Sequence, residues 1–372
     1  MTRPRSELVS VTDTPWYHVV SRCVRRAFLC GQDRHTGQNF EHRRGWIEAR
    51  IRQLAAVFAI DVAAYAVMSN HYHIVLRIDQ GRAQGWSDEA VLRRWTSVFS
   101  GPPVVQRYLD PQARDTLHDA ELAQAREWAR TYRARLADLS WFMRVLNETI
   151  ARKANAEDGV RGRFWEGRFK SQALLDEQAI LSAMAYVDLN PIRAGIADTP
   201  ETSEHTSLEA RLCPDKAEAR MRAALAKHSV QGDEAAVFGK SEANIPYWRD
   251  ALRCEHRLAP LAVAPLMPFD ATGREPWAVP FAWADYLELV EMLARCVHPA
   301  KRGFMPAQTP KLLDRLGMDA EAFIAHGTCL LQAFGHAVGK PTKLVEHAAC
   351  RQAKFLRGMG AARRVFERRA VL

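Results

Sequence analysis

The order of segments in the first 200 residues predicts an α+β fold, a sandwich in which helices pack on a mostly antiparallel sheet. Three observations predict it. WYHVVSRCV at 16–24 is rich in β-formers and reads as a first strand. WIEARIRQLAAVF at 46–58 sets Ile47, Ile51, Leu54 and Phe58 at helical spacing. Two strand-like runs follow, DVAAYAVM at 61–68 and HYHIVLRI at 71–78, joined through Ser69-Asn70 as a turn.

Residues 80–138 are polar and charged, broken by Gly85, Gly101 and Pro102-Pro103. They read as an insertion, a loop followed by a solvent-facing helix across 111–138. LSWFMRVLNETIARKAN predicts a helix over 139–155, and the basic, aromatic RGRFWEGRFK at 161–170 leads into a short strand near 171–175. Asp176 suits the N-cap of a helix over 177–189, which Asn190-Pro191 closes. The texture changes near residue 200, which divides the chain into an N-terminal region, 1–200, and an accessory region, 201–372. Residues 201–245 carry weak helical signals, 257–281 hold five prolines and should be irregular, and 282–369 look helical.

The apolar fraction of 48% and charged fraction of 26% are ordinary for a globular protein. No run approaches the roughly 18 apolar residues that span a bilayer. MTRPRSELVSVTDTPW has no apolar signal-peptide core, so a cytoplasmic location is expected. The net charge of +9, spread over both halves, favours a polyanionic partner. The cysteines are Cys23, Cys30, Cys213, Cys254, Cys296, Cys329 and Cys350. Their odd number and the lack of any CxxC pair speak against a disulfide framework or a zinc ribbon. Cys254/His256 and Cys296/His298 read as solitary thiols beside surface histidines rather than as zinc ligands.

Side chains alternate across a strand, so His71, His73, Val75 and Arg77 share one face of 71–78. Tyr72, Ile74, Leu76 and Ile78 make an apolar face that a helix would cover. The imidazoles are then left together with Cα atoms about 7 Å apart, near enough to converge on one divalent ion. On spacing alone, a pair of ordinary strand histidines is the commoner reading. In the helix at 177–189, Ile180, Leu181, Met184 and Val187 form the buried stripe, and Ser182, Tyr186 and Asn190 follow one another on a different face. Tyr186 there could meet a metal-bound phosphate, although core or rim packing is the plain reading of one helical tyrosine.

MSNHYHIVL at 68–76 resembles the histidine–hydrophobic–histidine (HUH) motif of single-strand transposases. GRFWEGRF at 162–169 and AYVDLNPIRAGI at 185–196 resemble segments of the REP-associated tyrosine transposases, relatives of the IS200/IS605 transposases. With YHVVSRC at 17–23, four stretches match in order across most of residues 15–197. The resemblance implies a ferredoxin-like catalytic domain, a divalent metal such as Mg²⁺ or Mn²⁺, and cleavage of single-stranded DNA at the foot of a hairpin through a 5′-phosphotyrosine. It carries the metal-ligand role to His71 and His73 and the nucleophile to Tyr186, and it points to Asn190 as third ligand. Asn190-Pro191 can equally open a new helix. Tyr72 between the histidines is bulkier than the aliphatic usual in the motif.

Arg161, Arg163, Arg168 and Lys170, interleaved with Phe164, Trp165 and Phe169, suit phosphate contacts and base stacking on single-stranded or hairpin DNA. The alternative is a hairpin with core aromatics and solvated arginines. The tail reads as a basic amphipathic helix in which Arg351, Lys354, Arg357, Arg363, Arg364, Arg368 and Arg369 face only Glu367, either a solvated face or a DNA clamp. The expected activity is nicking and rejoining of single-stranded DNA by a monomer or homodimer, with no membrane partner. The rival expectation is a domesticated hairpin-binding protein that no longer cuts. A relaxase or replication initiator shares the paired histidines but fits GRFWEGRF and LNPIRAG poorly.

Overall fold

In the computed structural model, residues 8–24, 29–31, 37, 39–226, 257–258, 260–297, 310–326, 330–353 and 355–367 are described. The chain is mixed α/β, built on a five-stranded sheet that is antiparallel except at one pairing. Trp16–Arg22 (β1) leads to helix His42–Val57 (α1), then Ile60–Val67 (β2) and His71–Ile78 (β3). After the insertion come helix Leu139–Asp158, strand Lys170–Leu174 (β4) and, from beyond residue 330, strand Ala337–Val338 (β5). The strand order is β2-β3-β1-β4-β5, with only β4 and β5 parallel.

The insertion departs from the expected loop and single helix. Four short helices, Gln80–Gly85 (α2), Asp88–Thr96 (α3), Pro103–Leu109 (α4) and Pro111–Arg114 (α5), precede helix Asp119–Leu136 (α6). Local caps start three of them: Asp79, Ser87 and Asp110 side chains accept from the backbone N–H groups of Arg82, Ala90 and Gln112. The helix α6 is not wholly solvent-facing, because Ala125, Ala129, Tyr132 and Leu136 bury one stripe. Trp95 stacks on both Tyr132 and Phe99 with ring centroids 4.4 Å apart, a small aromatic core inside a polar segment.

The helix Leu139–Asp158 is α7; Glu177–Asp188 is α8, Asn190–Arg193 α9, Ser207–Leu212 α10 and Pro214–Ala226 α11. Helices α1 and α7 cover the sheet face that carries Tyr17, Val19, Tyr65, Tyr72, Ile74 and Leu76, all fully buried. Tyr65 Oη donates to Glu48 on α1, and Tyr72 Oη to Asn147 on α7 at 2.5 Å. The sequence expectation that Tyr72 points away from the histidine face therefore holds. The opposite face lies under α8, which crosses β2, β3 and β4. Asp176 caps α8 by accepting from Ala179 N–H, as its position predicts.

Residues 260–281 form no helix and no strand of two residues or more. Further on are helices Trp283–Val297 (α12), Lys311–Arg315 (α13), Ala320–His326 (α14), Leu330–Ala333 (α15), Pro341–Cys350 (α16) and Met359–Val365 (α17). This region is bound into the sheet. Strand β5 extends it, Tyr286 on α12 donates to buried Asp188 at 2.7 Å, and Lys340 N–H donates to Asp176. Among the described residues no helix is long and apolar enough to cross a membrane.

Candidate active site

Backbone register fixes which side chains share the face beneath α8. His73 on β3 lies opposite Val20 on β1 and Ala66 on β2; His71 lies opposite Arg22. His18 on β1 lies opposite Val75 on one side and Gln172 on β4 on the other. The three imidazoles therefore cluster. The His18 and His73 rings are 4° from parallel with centroids 5.1 Å apart, while His71 meets His73 edge-on at 4.9 Å. The sequence placed His71 and His73 together, and the structure does the same. His18, from the β1 segment, went unassigned.

Tyr186 enters from α8, its ring edge-on to His73 at 5.6 Å and to His18 at 6.2 Å. One nitrogen of Arg193 donates both to Tyr186 Oη at 3.1 Å and to Asn190 Oδ1 at 3.0 Å, and the guanidinium lies over the tyrosine ring. Asn190 and Pro191 are the first two residues of α9, so the pair opens a new helix, with Leu189 rather than Asn190 at its N-cap. The face that carries Ser182, Tyr186 and Asn190 is not open to solvent. Ser182 and Asn190 are buried and Tyr186 half-buried, because the sheet lies on one side of α8 and the C-terminal helices close over the rest.

Burial is the main force on the imidazoles. It pushes His18 and His71 down to about 4, helped at His71 by the charges of Arg22 and Arg193. His73 is held well below the usual histidine range by burial and then by neighbouring His18, His71 and the two arginines. Neutral imidazole is the ligand form, so no proton need be displaced at pH 7. His71 Nδ1 is 2.6 Å from Asn70 Oδ1, an arrangement that leaves Nε2 as its acceptor atom. His73 Nε2 is buried with no hydrogen-bond partner. A buried acceptor without a donor is costly, and a cation would satisfy it.

Those two nitrogens fit a divalent metal. Asn190 fits less well: its Oδ1 already accepts from Arg193, and its buried Nδ2 has no partner. No group of three or more His, Cys, Asp or Glu residues suited to a metal occurs among the described residues. Cys254, His256 and His298 lie outside the described residues.

The basic segment divides. Arg161, Arg163, Arg168 and Lys170 are exposed, whereas Phe164, Trp165 and Phe169 are buried, Trp165 donating through its indole N–H to Asn147 O. Of the two readings of these aromatics, core packing is the one observed. Lys170 lies opposite Val20, in the cross-strand row of His73, and Glu166 N–H donates to Arg22 O, which brings the segment alongside exposed Arg22. The tail is not one helix. Helix α16 ends at Cys350 and α17 begins at Met359. Arg351 binds Asp13, Arg357 donates to Gln332 O, and Arg363 and Arg364 are exposed on α17, which packs on α14 and α16. Lys354, Arg368 and Arg369 lie outside the described residues.

No family model matches the chain, and no curated protein and no solved structure matches it either.

Proposed function

We propose that the chain is a metal-dependent tyrosine transposase that nicks and rejoins single-stranded DNA at hairpin or palindromic repeats. In this reading the sheet and its helices are the ferredoxin-like catalytic fold of the transposases the sequence resembles. The observation that carries it is the convergence, within one chain, of Tyr186 on His73, whose buried Nε2 lacks a partner. An enclosed nucleophile beside an open ligand atom is the arrangement that phosphoryl transfer needs.

His71 and His73 would hold Mg²⁺ or Mn²⁺ through Nε2, with Asn190 joining once Arg193 releases its oxygen. The metal's contribution is Lewis-acid polarisation of the scissile phosphate. Tyr186 Oη attacks phosphorus and the bond to the 3′ oxygen breaks, leaving a 5′-phosphotyrosine and a protonated 3′ hydroxyl. Arg193 holds Oη in place and brings a positive charge to the phosphate; Arg22, Arg161, Arg163, Arg168 and Lys170 guide the strand electrostatically. Attack of a 3′ hydroxyl on the phosphotyrosine rejoins DNA without ATP.

Tyr186→Phe tests the assignment. With a labelled hairpin oligonucleotide and Mn²⁺, the variant should form no covalent adduct and still bind the hairpin about as well as the parent. An adduct in the variant would remove Tyr186 as nucleophile. The engagement of Asn190 Oδ1 by Arg193 favours one second reading, a hairpin-binding protein that does not cut. Absence of product from the parent with Mg²⁺, Mn²⁺ and Co²⁺ would select it.

A further inference from the structure

A line of hydrogen bonds runs from the C-terminal region through the sheet to Nδ1 of His73. Gln172 Nε2 donates to Leu331 O at 2.9 Å and Gly335 O at 3.0 Å. Its Oε1 is 3.0 Å from His18 Nδ1, and His18 Nε2 is 2.9 Å from His73 Nδ1. His18 and His73 are 3% and 5% exposed, so the chain is shielded from bulk water.

The direction of each bond follows from what its first members can do. A backbone carbonyl only accepts, so the two carbonyls require the NH₂ end of Gln172 and turn Oε1 toward His18. That oxygen also only accepts, so His18 carries its proton on Nδ1. A neutral imidazole has one donor and one acceptor, which leaves His18 Nε2 as a lone pair. His73 Nδ1 must then be the donor, and His73 Nε2 keeps the lone pair. Reversing any link would set two acceptors face to face in a buried site. A doubly protonated His18 would also break the chain, and its two hydrogen-bond partners, Gln172 Oε1 and His73 Nδ1, include no anion to hold the second proton.

We infer that Gln172 and His18 are positioning residues that lock His73 in its Nδ1–H tautomer, with the Leu331 and Gly335 carbonyls setting the direction. The tautomer stands on the hydrogen bonds alone; its consequence for metal binding rests on the function proposed above. The C-terminal region thereby acquires a role in orienting the imidazoles. Loss of its carbonyls would release Gln172, and with it the orientation of the ligand lone pair.

The test uses the full-length protein labelled with ¹⁵N-histidine, with His73 assigned by loss of its signals in His73→Gln. Without metal, His73 should give a pyrrole-type Nδ1 and a pyridine-type Nε2 resonance. Gln172→Met, of similar size but with no acceptor for His18, should mix the two tautomers and weaken Mn²⁺ binding by about 10- to 100-fold in calorimetry. A protonated Nε2 in the wild-type protein would overturn the inference even if no variant folds, as would an unchanged tautomer in folded Gln172→Met. If the tautomer responds as expected but the wild-type protein binds no Mn²⁺, the relay stands and the metal reading fails.

Discussion

Two buried polar clusters lie on opposite faces of one sheet, and they are built on opposite terms. Beneath α1, Glu48 accepts from Tyr65 Oη at 2.7 Å, from His205 Nδ1 at 2.7 Å and from two nitrogens of Arg220. The same guanidinium reaches both oxygens of Glu209, at 2.9 and 2.7 Å. Both carboxylates are fully buried, and neither leaves an oxygen without a donor. Beneath α8, the imidazole cluster carries no buried anion, and it leaves His73 Nε2 and Asn190 Nδ2 without partners. Native interiors satisfy nearly all their buried polar atoms, so the partnerless His73 Nε2 stands out beside Tyr186. Under the proposed function, incomplete bonding rather than charge burial marks the functional cluster.

The largest effect should come from breaking the satisfied cluster. Arg220→Met would leave Glu48 and Glu209 buried together with no cation between them, at a cost of about 3–5 kcal/mol. Urea unfolding reads this directly. A loss below about 1 kcal/mol would mean that the network is solvated or redundant, and the contrast between the faces would fail.

Acid should separate the two clusters by pH. His18 is held at about 4 against an ordinary 6.5, so the unfolded chain binds its proton first. Metal-free stability should fall as pH drops from about 6.5 toward 4, by roughly 3 kcal/mol for His18 alone, and be unaffected by this group above 6.5. Burial alone would raise the Glu48 carboxyl, but hydrogen bonds from His205 and Arg220 outweigh it and hold it at about 2. Its contribution is present above the ordinary 4.5 and is lost as pH falls from there toward 2. Thermal melts in EDTA across this range should therefore show two successive declines, and Gln substituted for Glu48 should remove only the lower one.

The sequence reveals these clusters unequally. Period-2 alternation in HYHIVLRI is local, and it sorted His71 and His73 from Tyr72 without any tertiary information. His18 sits on a strand that alternates as clearly, but its partners are 55 and 154 residues away, and register across three strands is not written in any one of them. Arg193 was within reach. It follows Tyr186 and Asn190 at i+7 and i+3, a helical repeat that Pro191 disguised as a stop although proline is at home in the first turn of a helix. The insertion misled through composition: its charge hid Trp95, Phe99 and Tyr132, whose contacts fold five helices where one was expected. The aromatics of RGRFWEGRFK match a nucleic-acid surface as well as they match a core, and only burial distinguishes the two.

The smallest stability effect should come from the cluster that binding, rather than folding, requires. His73→Leu removes the orphaned Nε2 and replaces a desolvated imidazole with an apolar side chain of similar size on a face that already carries Val20 and Val75. It also leaves His18 Nε2 without its donor, so the gain and the loss offset and stability should change by no more than about 1 kcal/mol. Mn²⁺ at saturating concentration should raise the melting temperature of the parent, because it binds the folded chain, and should leave the variant unmoved. If His73→Leu cost as much as Arg220→Met, the imidazoles would be ordinary structural groups. The incomplete bonding at Nε2 would then carry no function.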